Sequence, residues 1–137
     1  MKKQVSLIHS STLPTVDYAY ASKVPEGMNL LFMAGACPLD NKGKVPEDTD
    51  FEVQARMCVS NLKAALKEAG ATIQDIAYTR VLVASSNQDD LVMAWNAIRK
   101  EFGEHDVPST LSGVTLLGYT NQLVEIEAVA AIADKKD

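Results

Sequence analysis

Leu123-Val124-Glu125-Ile126-Glu127-Ala128-Val129-Ala130 is the stretch whose reading decides the fold. Apolar and β-branched residues alternate here with carboxylates, the period-two pattern of a strand. Val124, Ile126, Ala128 and Ala130 share one face; Leu123, Glu125, Glu127 and Val129 share the other. A strand so rich in Val, Ile and Ala belongs at the centre of a sheet. Its second face is then either a half-solvated surface that tolerates two glutamates, or the wall of a cleft that holds a carboxylate for chemistry.

Working outward, a turn around Gly118-Tyr119-Thr120-Asn121 separates this strand from a β segment that Pro108 opens and that runs from Leu111 to Leu117. Before it, Leu91, Trp95, Ile98 and Phe102 lie on one helical stripe, with caps available in Ser86 to Asp90 and a stop at Gly103. Ile76 to Ala84 reads as a strand around Val81, Leu82 and Val83. A first helix is marked by Phe51, Ala55, Cys58, Val59, Leu62, Leu66 and Ala69, with Gly70 as its stop. Thr49 with Glu52 three residues on has the form of a capping box, and Asp50 suits the positive helix end. Ala36 to Asp48, with two prolines and Gly43, is a surface loop. The N-terminal third reads as a β-meander: Val5 to Ser10, Tyr18 to Val24, a turn at Pro25-Glu26-Gly27, then the buried strand Leu30 to Ala34 closed by Gly35.

The order β-β-β-α-β-α-β-β predicts an α+β fold, a single domain over residues 1–137, with one mixed sheet and two helices on one face. Two helices cannot cover both faces of a sheet of five or six strands. The uncovered face predicts self-association into a homo-oligomer.

Composition excludes several classes of function. A chain of 137 residues, 47% hydrophobic, buries a core without staples. Its net charge of -5 argues against a nucleic-acid partner, because phosphate binding needs clustered Lys and Arg. The basic pairs Lys2-Lys3 and Lys135-Lys136 read as solubilising termini. No apolar run approaches the roughly 18 residues of a membrane span. No h-region follows Met1-Lys2-Lys3-Gln4, so a cytoplasmic location is expected. Cys37 and Cys58 lack metal-ligand spacing and read as reduced, structural thiols, Cys58 on the apolar stripe. His9 and His105 are too few and too separated for a metal, and no cofactor is expected.

Four blocks in order carry a family resemblance: Phe32-Met33-Ala34-Gly35-Ala36-Cys37-Pro38-Leu39-Asp40; Gln54 with Asn61-Leu62, Leu66 and Ala69-Gly70-Ala71; Phe102-Gly103-Glu104-His105 with Pro108; and Val124 to Ala130. Together they resemble the RidA/YjgF (reactive intermediate deaminase) family, also called the endoribonuclease L-PSP family, over nearly the whole chain. The resemblance implies a chorismate-mutase-like fold, a homotrimer with sheets facing inward, and a small-molecule cleft at each subunit interface. It also implies hydrolysis of enamines and imines to carbonyl compounds and ammonia without metal or cofactor. Glu125 matches the family glutamate that positions or activates water. Tyr18, Ala34, Gly35, Trp95, Thr110, Leu111 and Ser112 match positions lining the cleft.

The departures from the family pattern are chemical. Thr110 stands where the family has a carboxylate-gripping arginine, Ala34 where it has serine, and Ser112 where it has cysteine. Trp95 falls where active members have asparagine. A guanidinium clamps a carboxylate through two charge-assisted bonds of about 1.5–3 kcal/mol each, whereas Thr110 donates one neutral bond at best. Arg80 offers a substitute from a neighbouring strand, although a lone strand arginine reads first as a solvated edge residue. Two functions follow: an imine deaminase of altered specificity with Glu125 as general acid/base, or a non-catalytic small-molecule-binding trimer. An endoribonuclease is disfavoured by the acidic charge and the lack of paired histidines.

Overall fold

The structure, a computed structural model, describes residues 3–134, so Lys2, Lys135 and Lys136 of the terminal basic pairs lie outside the described residues. Strands β1 (Ser6–Ile8), β2 (Ala21–Lys23) and β3 (Met28–Phe32) precede helix α1 (Phe51–Glu68); β4 (Ile76–Val83), α2 (Gln88–Phe102), β5 (Ser109–Gly113) and β6 (Val124–Ala133) follow, in the expected order. A single 3₁₀ turn, Ile73–Asp75, leads into β4.

The main sheet is mixed and four-stranded, in the order β3-β6-β4-β5. β6 runs antiparallel to both neighbours, while β4 and β5 are parallel and α2 makes the crossover between them. Val124, Ile126 and Ala130 are fully buried with the apolar stripes of α1 and α2, and Glu125, Glu127 and Val129 are half-buried on the opposite face. Both helices therefore lie on one face, as the helix count requires. Burying side chains such as Leu62, Leu66, Ile98 and Ile126 contributes about 1.5–3 kcal/mol each.

The N-terminal third departs from a meander. β1 and β2 form a ribbon of their own, and β3 leaves them to pair with β6. Val5, Ala77 and Ala131 pack as a small cluster that ties the ribbon to the main sheet. The second strand spans only Ala21–Lys23: Tyr20 N–H still reaches the Ile8 carbonyl of β1, but Ala19 N–H turns away and donates to the Asp106 carbonyl. β3 is an edge strand rather than a buried one, with Phe32 77% exposed on the face that the helices leave open. β5 ends at Gly113 rather than Leu117.

Helix α1 begins one residue later than the capping-box pattern suggests. Asp50 is the N-cap, accepting from Val53 N–H, while the Thr49 hydroxyl turns back to donate to the Pro46 carbonyl. Thr49 is taken by a larger arrangement centred on Gln54, which is 1% exposed. The Gln54 amide donates to Thr49 Oγ1 at 3.0 Å and to the Asn121 carbonyl at 2.9 Å, and accepts from Leu123 N–H at 2.7 Å. One buried side chain thus joins the start of α1 to the entry of β6. Gly70, at φ 82, ends α1 in the left-handed conformation.

Replacing this side chain tests the join. Gln54→Ala leaves the Leu123 N–H and the Asn121 carbonyl without their partner, and should cost about 2–4 kcal/mol in urea unfolding. A loss under about 0.5 kcal/mol would mean that the two loops hold their places without it.

Candidate functional site

Glu125 sits where β6 meets the segment after β3. Ala36 and Ile126 exchange backbone hydrogen bonds, Ala36 N–H to the Ile126 carbonyl at 2.7 Å and Ile126 N–H to the Ala36 carbonyl at 3.0 Å. In this antiparallel bridge Cys37 comes opposite Glu125, and Gly35 lies close beside it. The Cys37 thiol donates to Glu125 Oε1 at 3.3 Å, and the Gln122 amide donates to the same oxygen at 3.2 Å. The other oxygen, Oε2, rests against Gly35, where a Cβ would stand 2.3 Å from it. Only glycine leaves the carboxylate this seat.

The donors are themselves held. Asn61 on α1 donates to the carbonyls of Cys37 and Leu39, fixing the loop that follows Gly35. Gln122 also donates to the Val124 carbonyl and accepts from Tyr119 N–H. The Cys37 thiol is pushed up to about 11, first by burial and then by its hydrogen bond to the Glu125 carboxylate and the charge on it. It is therefore a protonated donor, not a nucleophile. Cys58, buried in the core with its thiol toward the Val124 carbonyl, is raised further still, chiefly by burial.

A second group forms at the other edge of the sheet. Tyr18, Trp95, Thr110 and Leu111 line one cleft of about 410 Å³ with Asp17 and Ser109. Trp95 donates from Nε1 to Asp17 Oδ2 at 2.8 Å and meets the Tyr18 ring edge-on at 6.0 Å. Arg99 stacks on Trp95 and Phe102 at 5.0 and 5.1 Å, its pKa lowered by burial against the pull of Asp17 and Asp106. Beneath the cleft, Thr79 Oγ1 donates to Ser109 Oγ at 2.7 Å.

The sequence-derived site residues thus fall into two groups. Ala34 and Gly35 lie with Glu125, whereas Tyr18, Trp95, Thr110 and Leu111 lie together along β5 and α2. Ser112 pairs with Leu82, which pairs with Glu125, so serine and glutamate lie in one cross-strand row. With β4 between them, β5 and β6 are roughly 10 Å apart. Within one chain, Thr110 and Glu125 do not touch.

Two residues went unrecognised as parts of this surface, and the reading of a third, Arg80, as a sheet-edge residue is corrected. Cys37 read as structural because its facing depends on a single backbone bridge, which leaves no periodicity. Gln122 precedes its strand and carries no pattern signal. Arg80 is not an edge residue, since β4 lies between β6 and β5; it pairs in register with Thr110 on one side and Glu127 on the other. The histidines are used locally: His105 is buried against the Ile76 carbonyl, and His9 pairs with Asp106 at 2.8 Å. Among the described residues no three His, Cys, Asp or Glu side chains gather as metal ligands, and no helix is long and apolar enough to cross a membrane.

Comparison with known proteins agrees with this architecture. Residues 11–132 match the family model described as Endoribonuclease L-PSP. A RutC family protein of Pyrococcus abyssi is 29% identical over 95% of this chain and 98% of its own. The 3-aminoacrylate deaminase RutC of Acinetobacter baylyi is 23% identical over 96% of this chain and 100% of its own. Among solved structures, a Rid-family protein of unknown function from Yersinia pestis, YyfB, superposes with a TM-score of 0.81 at 26% identity, covering 94% of this chain and 99% of the other.

Thiol chemistry reports on the glutamate's surroundings. With a pKa of about 11, Cys37 should be alkylated slowly at pH 8, where about one thiol in a thousand is ionised. Glu125→Gln removes the charge that favours the neutral thiol, so the Cys37 pKa should fall and iodoacetamide labelling at pH 8 should accelerate. Peptide mass mapping distinguishes Cys37 from Cys58, and an unchanged rate would disprove the coupling.

Proposed function

The chain belongs to the endoribonuclease L-PSP family, the Rid/RutC proteins, and on that premise we propose that it hydrolyses the C=N bond of a small enamine or imine, with specificity altered from the family pattern. The observation that carries the reading is the carboxylate of Glu125 held by two donors on one oxygen, Cys37 at 3.3 Å and Gln122 at 3.2 Å, over a glycine. That arrangement leaves the second oxygen to position a water. Glu125 takes a proton as the water attacks the carbon of the protonated imine, giving a neutral carbinolamine. It then returns the proton to nitrogen and, as the C–N bond breaks, takes the proton of the carbinolamine hydroxyl, so that a carbonyl compound and ammonia leave. An enamine enters the same route after protonation at carbon.

The working unit is a homotrimer with a cleft at each subunit interface. Two features support it: the open sheet face, where Phe32 is 77% and Leu30 49% exposed, and the separation of Glu125 from the Thr110 cleft within one chain. A neighbouring copy brings the β5 edge of one chain to the Glu125 of another. Non-catalytic binding of a small molecule is the competing reading. It is favoured by the apolar walls around Trp95 and Tyr18, and by a Thr110 hydroxyl that already accepts from Tyr78 at 3.0 Å.

Two measurements test these proposals. When 2-aminoacrylate or 2-iminobutyrate is generated in situ by a dehydratase, the protein should accelerate keto-acid release, and Glu125→Gln should lower that acceleration by about 10²–10⁴-fold. No acceleration by the wild-type protein on either imine, or full activity in Glu125→Gln, would defeat the mechanism. Light scattering should return three times the 14.8 kDa chain mass, and a monomer would refute the interface clefts.

A further inference from the structure

The four strands of the main sheet carry three charged side chains: the carboxylates Glu125 and Glu127 on β6 and one cation, Arg80, on β4. All three face the side that the helices leave open. Arg80 lies directly across from Glu127 and directly across from Thr110, so it adjoins both halves of the divided site. Glu125 is its diagonal neighbour, roughly 7–8 Å away and within reach of a long side chain.

The guanidinium is not consumed by its partner. Arg80 Nε is 3.7 Å from Glu127 Oε1, beyond hydrogen-bond distance, and both side chains are about half exposed, at 51% and 45%. Among the described residues its two terminal nitrogens make no hydrogen bond, although they form the planar fork that matches a carboxylate. Arg80 lines a cavity of about 300 Å³ together with Met33, Gly35, Tyr78 and Glu127. Gly35 also seats Glu125, so this one residue adjoins both the cation's cavity and the carboxylate.

We propose that Arg80 is the specificity-determining residue that grips the carboxylate of a small anionic substrate while the C=N carbon lies toward Glu125. Its position fits whether the site is completed within one chain or by the β5 edge of a neighbour, because Arg80 flanks Thr110 and Glu127 alike. Glu127 acts against it, sharing its charge and repelling the anion. The reaction step rests on the deaminase reading above; carboxylate binding does not.

Arg80→Gln should raise the KM for 2-iminobutyrate by about ten- to a hundredfold with little change in kcat, and Arg80→Lys should recover part of the loss. Glu127→Gln should move KM the opposite way, downward, whereas a merely structural ion pair would suffer alike from either change. The binding claim is read separately by titrating the stable product 2-oxobutyrate, with its neutral methyl ester as control. Arg80→Gln should weaken the acid by the same factor and leave the ester unmoved. Equal affinity of wild type and Arg80→Gln for 2-oxobutyrate, equal losses for acid and ester, or no measurable wild-type binding of the acid would each overturn the proposal. Arg80-dependent binding of 2-oxobutyrate without imine turnover would uphold it while defeating the deaminase reading; turnover with KM unchanged in Arg80→Gln would do the reverse.

Discussion

The register of β6 between β3 and β4 is the constraint on which the rest depends. Its even-numbered residues from Val124 to Ala130 fill the space beneath α1 and α2, and its odd-numbered residues face the other way. A slip by one residue would turn Glu125 and Glu127 into the core, where an unpaired carboxylate costs several kcal/mol. It would also strip Val124 and Ile126 of burial that contributes about 1.5–3 kcal/mol each. No competing register comes close. The alternation that secures the fold therefore also displays two carboxylates on the face left without helices, so their placement is a consequence of the packing.

A strand fixes which way a side chain points but not what stands opposite it. That second task falls to polar side chains reaching between loops. Gln54 ties the start of α1 to the turn before β6, Asn61 holds the segment after Gly35, and Gln122 braces the carboxylate itself. Each satisfies backbone groups that would otherwise be stranded where loops pack against the core. The result is a seat for Glu125 made of two loops that belong to no regular element. Amide side chains hold both loops through hydrogen bonds to their backbone.

This division explains what could be read from the sequence. Periodicity exposed both helices, the central strand and the order of elements, because each is repeated over many residues. It failed where a single contact decides: Asp50 and Thr49 are equally good caps by type, and the tertiary pull of Gln54 selects between them. Tyr18 to Tyr20 have strand-like composition, yet their backbone is engaged with β1 and with the loop before β5. Leu30 to Ala34 is apolar enough for a core strand, but β3 lies at the edge of the sheet. Cys37 became part of the site only through one backbone bridge, and Arg80 through pairing partners far away in sequence. Family blocks pointed to Glu125 and to Thr110; they did not reveal that β4 stands between the two strands that carry them.

The exchange at Thr110 has a physical logic of its own. Residues paired across adjacent strands share a face and stand roughly 5 Å apart, less than the length of an extended arginine side chain. A cation can therefore move from one strand to its register partner without leaving the cleft that it serves. Arg80 and Thr110 are such a pair. The move changes the cation's company: on β5 it would stand at the sheet edge beside Tyr18 and Trp95, whereas on β4 it stands between two glutamates' strand and the Thr110 hydroxyl. A net charge of -5 spread over the whole surface says little about this recess. Three side chains within one Debye length set its field, and the balance between Arg80 and Glu127 determines whether an anion is drawn in or turned away.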